Sequence, residues 1–70
     1  MHRFLIIIEK AGDNYSAYPP DLPGCVTTGD TWEEAESNMH HAVRLHLEIL
    51  VEDGEPIPES VSFASYVALP

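Results

Sequence analysis

The hydrophobic pattern begins with three short apolar stretches separated by turn signals. Residues 4–8 (FLIII) form a continuous apolar run, which is typical of a short strand covered on both faces. The turn signal AGDN follows at 11–14, and residues 15–18 are the expected hairpin partner. Residues 25–28 (CVTT) are predicted to form a third short strand before Gly29-Asp30 turns the chain.

A long amphipathic helix is predicted after this turn. Thr31 and Glu34 have the spacing of a capping box, in which two side chains satisfy backbone N–H groups of the first turn. At about 100° per residue, one broad arc carries most of the apolar side chains. Its members are Trp32, Ala35, Met39, Ala42, Val43, His46, Leu47, Ile49 and Leu50. Gly54 is the expected stop, and Pro56 and Pro58 prevent the helix from resuming.

The stretch Val61–Leu69 alternates and is predicted to be the last and longest strand. Odd-numbered positions from Val61 share one face, while Tyr66 lies on the other. The predicted order is β-β-β-α-β, an α+β fold with one mostly antiparallel sheet and a single long helix packed on one face. Because one helix covers one face only, the apolar residues of the other face need a second cover.

The proline-rich stretch at 18–25 (YPPDLPGC) separates the second and third predicted strands. Pro19, Pro20 and Pro23 lack a backbone donor, so regular pairing should stop there. The stretch could be an active-site loop around the lone Cys25 or a rigid connector. A nucleophilic cysteine needs a base, and the sequence places no histidine beside this one, so the connector interpretation is favoured.

Neither a metal site nor a two-metal nuclease site is predicted. His40, His41 and His46 lack the i, i+4 spacing that places two zinc ligands on one helical face. A two-metal nuclease needs carboxylates projecting from strand interiors, and the predicted strands offer only Glu9, at a strand end. We therefore expect no catalytic residue, no bound metal, no cofactor and no enzymatic activity.

Charge narrows the class of partner. The 70 residues contain 3 Lys and Arg against 12 Asp and Glu, a formal net charge of −9. Direct nucleic-acid binding is not expected, because it needs clustered basic residues, whereas a basic protein partner is electrostatically suitable. The alternative is that the acidity only keeps a small protein soluble. No stretch has the length of a membrane span or a signal peptide, so a cytoplasmic protein is expected.

Self-association is expected from the size of the chain. A domain this small buries only about 60% of its unfolded surface, and a single cysteine excludes an intramolecular disulfide. We predict a homodimer or a dimer of dimers, since these closed arrangements are the commonest. Ile6, Ile8 and Tyr66 are the candidate interface residues, because one helix leaves one sheet face uncovered.

Three motifs in order resemble the N-terminal domain of HicB-like antitoxins. They are Pro20-Asp21-Leu22-Pro23-Gly24-Cys25, Gly29-Asp30-Thr31 with Glu33-Glu34-Ala35, and Asp53-Gly54-Glu55-Pro56-Ile57-Pro58. The resemblance covers nearly the whole chain and implies a partly degraded RNase H-like fold that does not cleave RNA. It also implies that the domain binds and neutralises HicA, a small basic mRNA-cleaving toxin of a type II toxin–antitoxin system.

The resemblance also sets an expectation about domains. HicB proteins generally carry a second, C-terminal DNA-binding domain, whereas this sequence stops at Pro70, directly after the last predicted strand. We therefore expect residues 1–70 to form a single HicB-like domain without a DNA-binding domain.

The candidate partner-binding residues are Pro20 and Asp21 in the connector, with Glu33 and Glu48 on the polar helix face. The alternative function is a stand-alone oligomeric regulatory or structural protein of the same fold with a different protein partner. An RNase H-like hydrolase is the third hypothesis.

Overall fold

The computed structural model describes residues 2–70. Three antiparallel strands, β1 (Ile7–Ala11), β2 (Asn14–Tyr18) and β3 (Thr27–Gly29), form a sheet in the order β1-β2-β3. Helix α1 (Trp32–Glu52) follows and packs on one face of this sheet. The arrangement confirms the predicted α+β class, with an antiparallel sheet followed by one long helix.

A two-residue turn at Gly12-Asp13 sets the register of the first hairpin. Gly12 has φ +68°, as the first central position of a type II′ turn requires, and Ala11 pairs with Asn14. Pairing then runs back to Ile7 opposite Tyr18. It stops there because Pro19, the residue that follows β2, has no N–H to donate. The first strand therefore begins and ends three residues later than the predicted range 4–8.

The third strand also differs from its predicted range of 25–28. Ladder pairing covers Thr27–Gly29, with Tyr15 opposite Gly29 and Ala17 opposite Thr27. Cys25 is buried in the core instead of extending the ladder. Alternation in the sequence could not distinguish a residue that packs inward before a strand from the first residue of the strand itself.

Both ends of α1 are capped as the sequence predicts. Thr31 is the N-cap, and its hydroxyl accepts a hydrogen bond from the Glu34 N–H at 3.1 Å. The Glu34 carboxylate accepts from the N–H of Asp30, one residue before the cap, at 3.4 Å. At the other end Gly54 has φ +71°, and its N–H donates to the Val51 carbonyl at 3.1 Å. This is the glycine-terminated helix end known as a Schellman motif.

The buried core is small and lies under the first half of the helix. Among residues 2–70 the buried apolar side chains are Ala17, Pro19, Leu22, Cys25, Ala35 and Met39. Ile6 and Ile8 pack against this core from the β1 side. Further along the helix the apolar arc is only half-buried, at Ala42, Val43, His46, Leu47 and Leu50. The continuous burial expected for residues 4–8 is therefore not reached, because these five side chains are half-buried too.

The predicted fourth strand is not formed. Residues 55–70 carry neither helix nor strand, and most of them are exposed. Alternation predicts which side chains share a face, but a strand also needs a neighbouring edge that supplies its backbone hydrogen bonds. Within the described residues, Val61–Leu69 pairs with no strand, and the outer edge of β1 is free.

Gly29 provides a test of how the helix docks on the sheet. A Cβ at this position would lie 2.4 Å from the backbone nitrogen of Ala35, and backbone atoms cannot move aside cheaply. We expect Gly29→Ala to lower the free energy of unfolding by roughly 1–3 kcal/mol, the usual cost of overpacking. Thr28→Ala, at the exposed neighbouring position, should change it by less than about 0.5 kcal/mol. Urea titration followed by circular dichroism measures both, and equal effects would contradict the close approach.

Candidate functional site

The connector, residues 19–25, is fixed to the core rather than forming an open loop. Leu22 is fully buried, and its N–H donates to the Pro19 carbonyl at 3.1 Å across a tight turn. Pro19 and Cys25 are also buried, so the connector is anchored at both ends. The geometry agrees with the rigid-connector interpretation, in which prolines reduce the freedom of the unfolded chain.

Asp21 fastens the connector to the segment that follows the helix. Its carboxylate accepts hydrogen bonds from the N–H groups of Val61 and Ser62, at 3.0 and 2.9 Å. The Ser62 hydroxyl donates to the other carboxylate oxygen at 2.7 Å. One side chain thus holds two residues that lie forty positions further along the chain. We call this contact the Asp21 clasp.

The clasp changes the acidity of Asp21. Hydrogen bonds from the backbone and side chain of Ser62, with a smaller contribution from the N–H of Val61, lower the pKa of the carboxyl below its ordinary value of 3.8. Desolvation opposes this effect without reversing it. The pKa of Asp21 is lower in the folded state than in the unfolded state, so the clasp stabilises the fold at pH values above 3.8. This stabilisation is lost as the pH falls through the folded-state value.

Cys25 lies in an environment suited to packing. It is a free cysteine, 8% exposed, and its Sγ lies 4.0 Å from the sulfur of Met39. Burial raises the pKa of the thiol, which disfavours the reactive thiolate.

Of the helix histidines, His40 and His41 are exposed and His46 is half-buried.

The four candidate partner-binding residues do not form one patch. Glu33 lies in the first turn of α1 and Glu48 fifteen residues later, about 22 Å away at 1.5 Å per residue. Pro20 is exposed, but the carboxylate of Asp21 is engaged in the clasp. Sequence reasoning identified Asp21 as a surface charge and missed this internal role. Nothing near Asp21 or Ser62 in the sequence indicates that two such distant residues meet.

Glu48 lies in a more extended surface feature. It lines a groove of about 460 Å³ together with Leu47, Val51 and Glu52, and the remaining lining residues are His2, Arg44 and Ile57. No basic residue lies in the last turn of the helix, so these carboxylates stand near the negative end of the helix dipole, where acids are unfavourable. A cationic partner placed there would offset that repulsion.

The candidate interface residues lie on different parts of the structure. Ile8 pairs with the buried Ala17, and both Ile6 and Ile8 pack against the core on the helix side of the sheet. Tyr66 is fully exposed. By strand alternation the opposite sheet face carries Ile7 and its cross-strand partner Tyr18. A contact of Ile6, Ile8 or Tyr66 with a second copy stays a prediction.

Within residues 2–70 no group of three or more His, Cys, Asp or Glu side chains is placed to hold a metal ion. In the same part of the chain, no helix combines the length and apolarity that crossing a membrane requires.

The chain belongs to the HicB-like antitoxin family of bacterial toxin–antitoxin systems, whose family model matches residues 4–70. This confirms the resemblance seen in the three sequence motifs. No solved structure matches the chain.

Relatives come from a phage, a bacterium and an archaeon. An uncharacterised 14.9 kDa protein from the rep-hol intergenic region of Haemophilus phage HP1 is 42% identical over 65 residues, which are 93% of this chain and 49% of that protein. A UPF0150 protein of Synechocystis is 37% identical over 84% of this chain and 76% of its own length. A UPF0150 protein from Thermoplasma acidophilum is 40% identical over 80% of this chain and 83% of its own length. The chain thus spans about half the length of the phage relative.

The clasp can be observed directly through the amides that it holds. We expect the N–H resonances of Val61 and Ser62 to titrate together, with a midpoint below pH 3.8, because protonation of Asp21 removes the charged acceptor. Asp21→Asn should abolish this titration. Glu59→Gln, which removes an acid two residues before the clasp, should leave it in place. A midpoint at or above 3.8 in the unmodified protein would contradict the clasp.

Proposed function

We propose that this protein is an antitoxin-type binding protein that neutralises a small basic, mRNA-cleaving toxin of the HicA type in the cytoplasm. The observation that carries the proposal is membership of the HicB-like antitoxin family over residues 4–70. The net charge of −9 supports a basic partner, since opposite charge speeds encounter and disfavours wrong partners. The role is non-enzymatic, as the family implies.

The binding surface that we propose for the toxin combines acidic and apolar groups, with one basic residue, Arg44, at its border. Glu48 and Glu52 flank Leu47 and Val51 in the groove on the later part of α1. Val51 is 64% exposed, so apolar area is available beside the charges. Glu33, in the first turn of α1, would extend the proposed contact toward the other end of the helix. The exposed Pro20 is proposed as a separate contact in the connector.

We also propose that the protein self-associates, as a homodimer or a dimer of dimers. The buried core is small, and large apolar side chains such as Phe63 and Val67 are exposed, at 87% and 79%. This property is shared with the alternative function, a stand-alone regulatory or structural oligomer with a different protein partner. Affinity capture from native cells distinguishes the two, because recovery of a small basic ribonuclease supports the antitoxin role and recovery of another class of protein supports the alternative.

Charge should control toxin association. With the captured basic protein, we expect affinity to fall as salt rises, and Glu33→Lys and Glu48→Lys to slow association several-fold, since peripheral charges act mainly on the association rate. Asp13→Lys makes the same change in net charge at the tip of the first hairpin and is the matched control. Surface plasmon resonance in 50 to 500 mM salt measures these rates. An equal effect of Asp13→Lys, or binding insensitive to salt, would contradict the helix surface.

A nuclease assay tests the non-enzymatic role. Purified protein with magnesium or manganese should leave single- and double-stranded RNA intact, because no carboxylate cluster is available to hold two ions among residues 2–70. The measurement is gel analysis of labelled RNA after repeated purification. Cleavage that survives repurification and disappears in Glu9→Gln would contradict the proposal in favour of an RNase H-like hydrolase.

A further inference from the structure

We propose that two copies of this chain exchange the part of the segment Val61–Leu69 that lies beyond Ser62. We call Val61–Leu69 the arm, and Val61 and Ser62 are its root. The arm of each copy adds as a strand to the free edge of β1 in the other, about a two-fold axis. This inference gives a structural basis to the self-association proposed above and does not depend on the toxin.

The arm has the features of a strand that lacks its neighbour. Its sequence alternates, with Phe63 and Val67 on one side and Tyr66 on the other. Phe63 is 87% exposed, Tyr66 100%, Val67 79% and Leu69 80%. Four large apolar side chains exposed within seven residues are unusual in a monomer and mark an interaction surface.

The outer edge of β1 is suited to accept such a strand. β1 pairs with β2 on one side, and within residues 2–70 nothing pairs with its other side. A free edge presents a row of unpaired N–H and C=O groups that an extended segment can satisfy. Ile6 and Ile8 are half-buried at this side of the core. An added strand would become their lateral neighbour.

An open groove lies beside this edge. Its volume is about 760 Å³. It is lined by residues 3–6 just before β1, by Ser60, Ser62, Phe63 and Ala64 near the root of the arm, and by Glu36 and His40 of α1. The two segments border the same space without pairing with each other. Space for a further strand is therefore present beside the start of β1, close to the root of the arm.

Charge favours a second copy over a basic toxin as the partner of the arm. All twelve acidic residues lie between Glu9 and Glu59, so the arm carries no charge, and Arg3 is the one formally charged side chain before Glu9. Two chains of charge −9 repel each other, and contact through these two segments meets few carboxylates, since only Glu9 lies within β1 and only Glu36 borders the groove, where His40 also lies. A basic toxin would find no opposite charge on the arm, so the arm suits another copy of this chain.

The Asp21 clasp gives the arm a fixed root. It holds Val61 and Ser62, while the residues beyond Ser62 are exposed and unpaired. Seven further residues to Leu69 span about 23 Å at 3.3 Å per residue, enough to reach a neighbouring copy. The molecule is 48 Å long, compared with about 31 Å for its 21-residue helix, which agrees with an arm that projects from the body.

The area available is sufficient for a stable dimer. Phe63 and Tyr66 together would bury roughly 300–400 Å² per copy, since an aromatic side chain buries about 150–250 Å². With Val67, Leu69 and the matching edge of the partner, reciprocal exchange reaches the roughly 1,200 Å² at which specific interfaces begin.

The first experiment measures association of the 70-residue chain by sedimentation equilibrium. We expect a dimer that is unchanged or strengthened by salt, because salt screens the repulsion between acidic copies. The double variant Phe63→Asn/Val67→Asn should weaken dimerisation at least ~10-fold, about 1.4 kcal/mol. Val26→Asn, at an exposed apolar position between the connector and β3, is the matched control and should leave dimerisation unchanged. A monomer at 100 μM, or a dimer insensitive to the double variant, would overturn the proposal.

The second experiment locates the arm in the unmodified protein and needs no variant to fold. In a mixture of isotope-labelled and unlabelled copies, we expect nuclear Overhauser effects between arm side chains of one copy and Ile6 or Ile8 of the other. Contacts of the arm only with β1 of its own copy, or only with a second arm, would overturn the exchange. Toxin capture is measured separately, so a dimer without toxin binding refutes the antitoxin role alone, and toxin binding by a monomer refutes the exchange alone.

Discussion

The passage from β2 to β3 determines the position of most other parts of the fold. Pro19 ends the ladder at Tyr18, and a tight turn then directs the fully buried Leu22 into the protein interior. The same seven residues carry Asp21, which holds Val61 and Ser62 through three hydrogen bonds. The connector therefore ends one strand, contributes to the buried interior and fixes where the chain goes after the helix. It does this with prolines that have little freedom to lose on folding.

The features predicted well from the sequence are those with a local physical cause. The Thr31 cap and the Gly54 stop depend on residues within a few positions of each other, and both occur as predicted. The motifs around the connector and the helix ends were enough to identify the family, which the match over residues 4–70 confirms. Strand bounds were less accurate, because the Gly12-Asp13 turn and Pro19 set them through register rather than through apolar content.

The features that the sequence could not predict depend on distant partners. Alternation assigns faces to Val61–Leu69 but does not say which edge supplies its hydrogen bonds, and the strand is absent from the described chain. In the sequence Asp21 cannot be distinguished from an ordinary surface carboxylate, and its structural role becomes visible only from the position of Ser62. Likewise, an apolar arc of nine helix positions predicted more burial than the sheet can provide. Trp32 and Ile49 remain 49% and 48% exposed.

The segregation of charge along the chain has a consequence for how the two proposed partners interact. In the proposed arrangement a basic toxin would be drawn to carboxylates on the helix, while a second copy would meet the uncharged arm and the edge of β1, so the two sites would use different side chains. Each partner that binds only the folded state raises its stability by RT ln(1 + [L]/Kd). For a chain with six buried apolar side chains among residues 2–70, such gains are comparable to the folding free energy itself. In the proposed arrangement, therefore, the two partners stabilise this fold independently, and self-association maintains the folded acidic surface before the toxin arrives.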